Sequence, residues 1–257
     1  MPDYGFLAGA TPLAFAHRGF APDGAENSMT AFERAVSLGY RYLETDVRVT
    51  SDGVALAFHD STLNRMTDRR GRVDALPWSV VREARIAGRE PIPLLSDLLA
   101  AWPDVRINLD VKSDLGIAPA TAAIRRTGTL ERVCVGAFSG RRILAMRRVL
   151  GPRLCTSLGP REALGLRLTG SRRGHRYAGR CAQVPARLGR APFVDAGYLA
   201  AANRLGVQVH VWTVNDPAEM TRLLDLGVHG IMTDRADVLR DLLVARGEWP
   251  AVADGPP

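Results

Sequence analysis

Apolar positions recur along the chain in two alternating patterns. Short runs rich in β-branched and aromatic residues read as strands: Leu13–Ala16, Tyr42–Val49, Val105–Val111, Val133–Phe138, Leu154–Leu158, Cys181–Val184, Val207–Val214 and Gly230–Thr233. Between them, Met29–Leu38, Ala118–Arg126, Arg141–Leu150, Ala196–Leu205, Ala218–Leu226 and Ala236–Ala245 carry apolar residues at helical spacing. Gly39, Gly128, Gly151, Gly206 and Gly227 follow helical runs as C-caps would, and Asn27 or Ser28 stands where the first helix needs an N-cap. About eight β/α rounds in a chain of this length are what an α/β TIM (β/α)8 barrel requires. A doubly wound sheet is the rival, but its Gly-rich phosphate loop is missing after the first strand, where His17-Arg18-Gly19 stands.

One interval breaks the rhythm. About sixty residues separate the second and third strands, against about twenty to thirty-five elsewhere, so residues from about 60 to 93 read as a small insertion on the catalytic face. Its turn-rich TDRRGRVDALPW and the Pro91-Ile92-Pro93 break predict a compact cap that bounds a pocket. No linker or low-complexity segment divides the chain. Residues 1–257 therefore read as a single domain, with only the terminal ADGPP expected to fray.

Composition narrows the class. With 46% hydrophobic residues among 257, the chain can bury a sizeable core, and no apolar run is long enough to span a bilayer. Asp3 and the lack of a basic leader make the apolar run before His17 a strand rather than a signal peptide. Cys134, Cys155 and Cys181 are odd in number and widely spaced, without a metal or disulfide pattern, which fits a reducing, cytoplasmic compartment. The net charge is +7, and thirteen arginines face one acid, Glu162, between Arg141 and Arg190. That stretch reads either as a solvated basic surface or as a transient contact with an anionic membrane surface. Within it SRRGHRYAGR leads into a strand, on the face opposite the chemistry. Tyr177 is its only aromatic residue, so no nucleic-acid groove is expected.

Candidate chemistry collects at strand ends. YLETDVRVTSDGVALAFHD sets two strand-forming runs around Asp52-Gly53, the commonest two-residue hairpin signal. A two-residue loop puts Asp46 opposite His59, and a four-residue loop puts Glu44 there. Either register leaves Glu44, Asp46 and His59 on one side of the ribbon, because side chains alternate with period two. Two carboxylates and an imidazole within reach suggest a metal beside an acid/base, against the plainer reading of a solvated strand face. VRINLDVKSD adds Asp110 and Lys112 on one face. Lys112 is the only lysine among 34 basic residues, where a compact ammonium serves in place of a planar fork. His17, Arg18 and Trp212 also fall at or near strand ends, where barrel enzymes keep their active sites.

These motifs resemble the glycerophosphodiester phosphodiesterases over nearly the whole chain. The resemblance is carried by AHRG, ENSMTAFERAVSLG, the ETDVRVTSDGVALAFHD hairpin, TLNRMTDRRG, the PIPLLSDLL helix, INLDVK, VHVWTVNDPAEM and GIMTDRADVL. It implies a TIM barrel that binds one divalent cation through Glu44, Asp46 and Asp110, with His17 and His59 as acid and base and Arg18 and Lys112 on the phosphate. Glu26 and Asn27 match a family pair beside the site, and Gln183 and Trp212 edge the pocket, Trp212 as an apolar wall for glycerol. Three carboxylates suit a hard cation, Mg²⁺ or Ca²⁺, better than zinc. Imidazoles titrate near neutrality, as proton exchange requires.

The resemblance further implies a glycerophosphodiester substrate and a two-step course. The glycerol 2-hydroxyl, bound near the metal, attacks phosphorus and expels the head-group alcohol, and water then opens the cyclic phosphate to sn-glycerol 3-phosphate. The alternatives are lysophospholipase D-type activity on lysophospholipids and a barrel that binds phosphoesters without turnover. Every acid/base and metal position holds a competent residue, which favours the enzyme. Two departures stand out. Asp110 replaces the commoner Glu and is shorter by one methylene, so this ligand is expected to reach the metal through water or to alter metal preference. His229, in GVHGI, precedes the last strand and reads as structural.

Overall fold

The computed structural model describes residues 4–170 and 177–250. The ADGPP tail and residues 171–176 of SRRGHRYAGR therefore lie outside the described residues. Eight parallel strands form a nearly closed TIM barrel: β1 (Leu13–His17), β2 (Tyr42–Val49), β3 (Arg106–Val111), β4 (Val133–Gly136), β5 (Cys155–Thr156), β6 (Cys181–Pro185), β7 (Gln208–Trp212) and β8 (Gly230–Thr233). Their order around the wall is β5-β4-β3-β2-β1-β8-β7-β6, and a parallel bridge between Ser157 and Cys181 links its two ends.

A helix follows each strand: α1 (Met29–Ser37), α2 (Leu95–Ala101), α3 (Ile117–Thr127), α4 (Gly140–Leu150), α5 (Pro160–Thr169), α6 (Ala196–Arg204), α7 (Pro217–Leu226) and α8 (Ala236–Ala245). Local chemistry sets their ends. The Ser28 hydroxyl caps α1 by accepting from the Ala31 N–H at 3.1 Å, and Asp195 and Asp216 cap α6 and α7 in the same way at 2.8 Å. Helix α5 is not among the segments predicted above. Leu164 and Leu168 point outward on it, so its apolar positions form no single stripe.

Residues between β2 and α2 begin with the strand Ala55–Ala57, paired antiparallel to the end of β2. They continue through a short helix, Trp78–Val81, and a two-stranded ribbon, Arg85–Ile86 with Glu90–Pro91. Leu63, Met66, Val73, Val81, Ile86 and Ile92 bury against Leu56 and Phe58 in a small core of their own.

Inward residues fill the barrel unevenly. Phe15 and Tyr42 pack with Phe6, which a 3₁₀ turn at Gly5–Leu7 tucks under the barrel; the Tyr42 ring lies 5.4 Å from Phe6, edge to face. Cys134, Cys155, Cys181 and Met232 occupy the same lumen cluster. His229 sits at the closed end, where its Nδ1 accepts from the Val209 N–H at 3.1 Å, a structural placement.

The close approach of the β1–α1 loop to α1 depends on Gly19. Its φ is +82°, and a Cβ there would lie 2.6 Å from the Ala31 carbonyl carbon and 2.8 Å from the Phe32 nitrogen. Gly24, at φ +78°, has open space around it. Urea unfolding is expected to show Gly24→Ala costing about 1 kcal/mol, from backbone strain alone. Gly19→Ala is expected to cost at least about 3 kcal/mol, because two backbones must separate. Equal costs would show that the contact with α1 is not limiting.

Candidate active site

The site is built from the ends of β1, β2 and β3. Register pairs His17 with Glu44 and Asp46 with Asp110, so alternate residues of neighbouring strands turn into the same space. After His17 the backbone enters the left-handed region at Arg18 (φ 58°), an uncommon state for a side-chain-bearing residue. It is held there from both sides: the Arg18 N–H donates to the Glu44 carbonyl and the Asn27 N–H donates to the Arg18 carbonyl, each at 2.9 Å. This aims the guanidinium so that Nε lies 3.0 Å from Asp46 Oδ2 and Nη1 lies 2.9 Å from Glu26 Oε1.

His59 arrives by a route different from the expected one. The pairs Val47–Ala57 and Val49–Ala55, with the Thr50 N–H donating to the Val54 carbonyl, leave Ser51, Asp52 and Gly53 as a three-residue loop. Neither predicted register is present, and simple alternation would set His59 opposite Thr45. The strand ends at Ala57, however, and beyond it the chain turns His59 into the cavity.

A cavity of about 430 Å³ opens at these strand ends and is lined by His17, Arg18, Glu44, Asp46, His59, Asp110, Lys112 and Trp212. Glu26 stands behind this wall, bonded to Arg18 and, at 2.8 Å, to Arg65. Residues 60–93 contribute nothing to the lining; they reach the site through Asp60 and Arg65. Gln183 and Trp212 line it as expected, Trp212 edge to face with Phe138 at 5.6 Å. Asn27 does not cap α1. It donates to Asp46 Oδ2 at 3.3 Å and accepts from the Thr45 hydroxyl at 2.7 Å.

Both histidines are braced by carboxylates. His17 Nδ1 lies 2.6 Å from Asp234 Oδ1, and Asn215 donates to the other Asp234 oxygen at 2.7 Å. His59 Nδ1 lies 2.7 Å from Asp60 Oδ1, and Arg65 bridges Asp60 and Glu26. Asp234, Asn215, Asp60 and Arg65 were not assigned roles from the sequence. Asp234 and Asn215 do stand just past barrel strands, which is the one signal that pointed to them.

Burial governs the charges. It lowers the His17 pKa, but Glu44 and Asp234 outweigh it and the net shift is upward. Burial pushes Glu44 up to about 8, with Asp46 and Asp110 adding to the rise against His17 and Arg18. For Asp46, burial is outweighed by Lys112 and Arg18, and the carboxyl stays below its usual range. Asp110 is raised by burial in spite of Lys112. A hydrogen bond from Arg65 holds Asp60 well below the carboxylate range.

The oxygen set fits a hard cation. Glu44 Oε2 and Asp110 Oδ1 are buried without a hydrogen-bond partner. Lys112 Nζ lies 2.7 Å from Asp46 Oδ1 and 2.6 Å from Asp110 Oδ2. The three carboxylates do not each bring an oxygen within 4.8 Å of the other two. The short Asp110 side chain is turned to Lys112.

The profile of the Glycerophosphoryl diester phosphodiesterase family matches residues 17–238. The chain belongs to this family. Members generally depend on a divalent metal, and membership makes the protein a phosphoric diester hydrolase. It is 44% identical to the probable glycerophosphodiester phosphodiesterase 2 of Mycobacterium tuberculosis, over 96% of this chain and 97% of that one. The fold matches a putative glycerophosphoryl diester phosphodiesterase from Silicibacter pomeroyi with a TM-score of 0.81, at 24% identity over 96% of this chain and all of that one (100%). It also matches an Oleispira antarctica phosphodiesterase in complex with the product sn-glycerol-3-phosphate, with a TM-score of 0.77, at 19% identity over 91% and 97% of the two chains.

With its pKa pushed up to about 8, the Glu44 carboxyl favours its protonated form near neutrality, so a cation that took it as a ligand would have to displace that proton. Mg²⁺ affinity is expected to rise as pH increases toward about 8 and to level off above it, since below its pKa the group gives up a proton for each ion bound. Titration calorimetry in buffers of different ionisation enthalpy should show about one proton released per ion near neutrality. An affinity independent of pH would contradict this.

Proposed function

We propose that the protein hydrolyses glycerophosphodiesters to sn-glycerol 3-phosphate and an alcohol, using His17 and His59 as the proton-exchanging pair. The observation that carries this reading is the pair of carboxylate-braced imidazoles sharing one cavity with Arg18, Lys112 and two unpartnered carboxylate oxygens. Glu44 and Asp46, with Asp110 through water, would hold one divalent cation, Mg²⁺ or Ca²⁺. When bound, it neutralises charge on the phosphoryl oxygens.

Arg18 and Lys112 orient the phosphodiester and offset the negative charge that builds as a nucleophile approaches. One histidine takes the proton of the glycerol 2-hydroxyl as its oxygen bonds to phosphorus, and the other gives a proton to the departing alkoxide. The cyclic phosphate is then opened by water with the two histidines in exchanged roles. Asp234 and Asp60 fix the rings, and Asp234 also favours the protonated form of His17. Glu26 acts as a positioning residue that aligns Arg18 and Arg65. Residues 60–93 serve in the single domain as a brace for His59, and the three free thiols suit a cytoplasmic location.

A second observation extends the substrate range. One side of the cavity is apolar and opens outward through Phe138, Leu164 and Leu188, which are 67%, 45% and 56% exposed. A lysophospholipid acyl chain fits this wall. Arg161, next to the lining residue Pro160, and Arg190, in the turn of a ribbon formed by Arg187–Leu188 and Ala191–Pro192, have no ion pair among the described residues, which suits transient contact with an anionic membrane surface. No helix among the described residues is long and apolar enough to cross a membrane.

Incubation of glycerophosphoethanolamine with protein and Mg²⁺ should yield sn-glycerol 3-phosphate. His17→Ala and His59→Ala should each cut turnover about 10²–10⁴-fold with folding retained. Unchanged turnover in either variant removes that histidine from the reaction. Leu188→Ser is expected to reduce turnover of lysophosphatidylcholine about tenfold more than that of glycerophosphocholine. Equal losses would count against the acyl-chain reading.

A further inference from the structure

The three cysteines were read above as widely spaced and without a metal pattern. In the barrel they meet. Cys134, Cys155 and Cys181 come from the adjacent strands β4, β5 and β6, all face the lumen, and each is at least 99% buried. Register pairs Cys134 with Cys155, and the Ser157–Cys181 bridge brings in the third. Cys134 Sγ and Cys181 Sγ are 3.7 Å apart, and the three sulfurs all lie within 4.8 Å of one another. Thiolates around a cation at a bond length of about 2.3 Å stand about 3.8–4.0 Å apart. The observed spacing needs only a small contraction.

We propose that this trio is a binding site for a soft monovalent d¹⁰ cation, Cu(I), separate from the carboxylate site above it. Each cysteine lies two residues before a residue that lines the cavity, Gly136, Ser157 or Gln183, and so one inward position deeper. Between the levels lies the Gln183 side chain, which donates to Asn108 Oδ1 at 2.6 Å and whose oxygen would be 2.8 Å from a Cβ at Gly136. The missing Cβ at Gly136 gives that amide its place, and swinging the amide aside would connect the cavity to the sulfurs. Met232, a further soft sulfur, lines the cavity and packs in the cysteine cluster, marking the same path.

Ligand softness and charge decide the ion. Three sulfurs with no carboxylate or imidazole among them select Cu(I) or Zn(II) over hard cations. Zinc is almost always four-coordinate and needs at least two thiolates to balance its charge. With Cys155 the one sulfur favoured as a thiolate, a divalent ion would leave a positive charge uncompensated in this buried lumen, which is costly. Cu(I) is balanced by a single thiolate, and the site stays neutral. Cys155 is the sulfur placed to carry that charge: hydrogen bonds from Cys134 and Cys181 and the nearby Arg147 pull it down to about 5 against the effect of burial. In the competing reading, three small thiols simply fill the lumen opposite Phe15 and Tyr42.

Anaerobic titration of the Mg²⁺-loaded protein with Cu(I), against a chromophoric Cu(I) chelator, separates the two. The expected result is one equivalent withdrawn per chain, with a thiolate-to-copper charge-transfer band. Asp46→Asn should leave this unchanged, and Cys155→Ser should weaken it by at least about 100-fold. X-ray absorption of the wild-type complex gives a reading that does not depend on whether the variant folds, and a shell of sulfur alone is expected. Copper that stays with the chelator, equal binding by Cys155→Ser, an oxygen or nitrogen shell, or uptake of Zn(II) in preference to Cu(I) would overturn the proposal.

Discussion

Two carboxylates buried at the end of one strand set the terms for the rest of this structure. Glu44 and Asp46 are 4% and 1% exposed, and a carboxylate without water needs compensating charge or a proton. The barrel supplies both solutions. Asp46 is held ionised between Arg18 and Lys112, while burial raises the pKa of Glu44 against the pull of His17. The left-handed backbone at Arg18, the single lysine and the buried Asn27 all follow from that need, since each places a donor or a cation at Asp46.

The same arrangement prepares the site for phosphoryl chemistry. In the proposed reaction, cations already positioned for buried carboxylates would be at hand for a phosphodiester, with no reorganisation when negative charge develops. Unpartnered oxygens of Glu44 and Asp110 are a liability in an idle core and an asset for a cation. The histidines take their orientation from Asp234 and Asp60, which belong to the last strand end and to the segment after the hairpin. Four parts of the chain distant in sequence thus converge on one cavity, as the C-terminal face of a barrel allows.

Much of this was legible in the residues. All eight barrel strands overlap the apolar runs read from the sequence, because fully buried parallel strands are continuous in hydrophobicity. The β2 hairpin was misjudged in register. Asp52-Gly53 signals a turn but not its length, and the Thr50 hydroxyl, accepting from the Val54 N–H at 2.9 Å, closes a three-residue loop instead. Helix α5 escaped notice because Leu164 and Leu168 serve a surface rather than the core. The cysteine trio was invisible for a different reason: spacing along the chain does not reveal which inward positions of neighbouring strands meet. Partners such as Asp234 and Arg65 likewise depend on closure of the barrel.

The most direct test of the account is the position of the cation. Crystals soaked with Mn²⁺ and sn-glycerol 3-phosphate would locate the ion by anomalous scattering. The account predicts one peak at the catalytic end of the barrel, bonded to Glu44 and Asp46, with Asp110 linked through water and a phosphoryl oxygen completing the shell. A peak away from Glu44 and Asp46, or phosphate bound by Arg18 and Lys112 with no metal peak beside it, would contradict it.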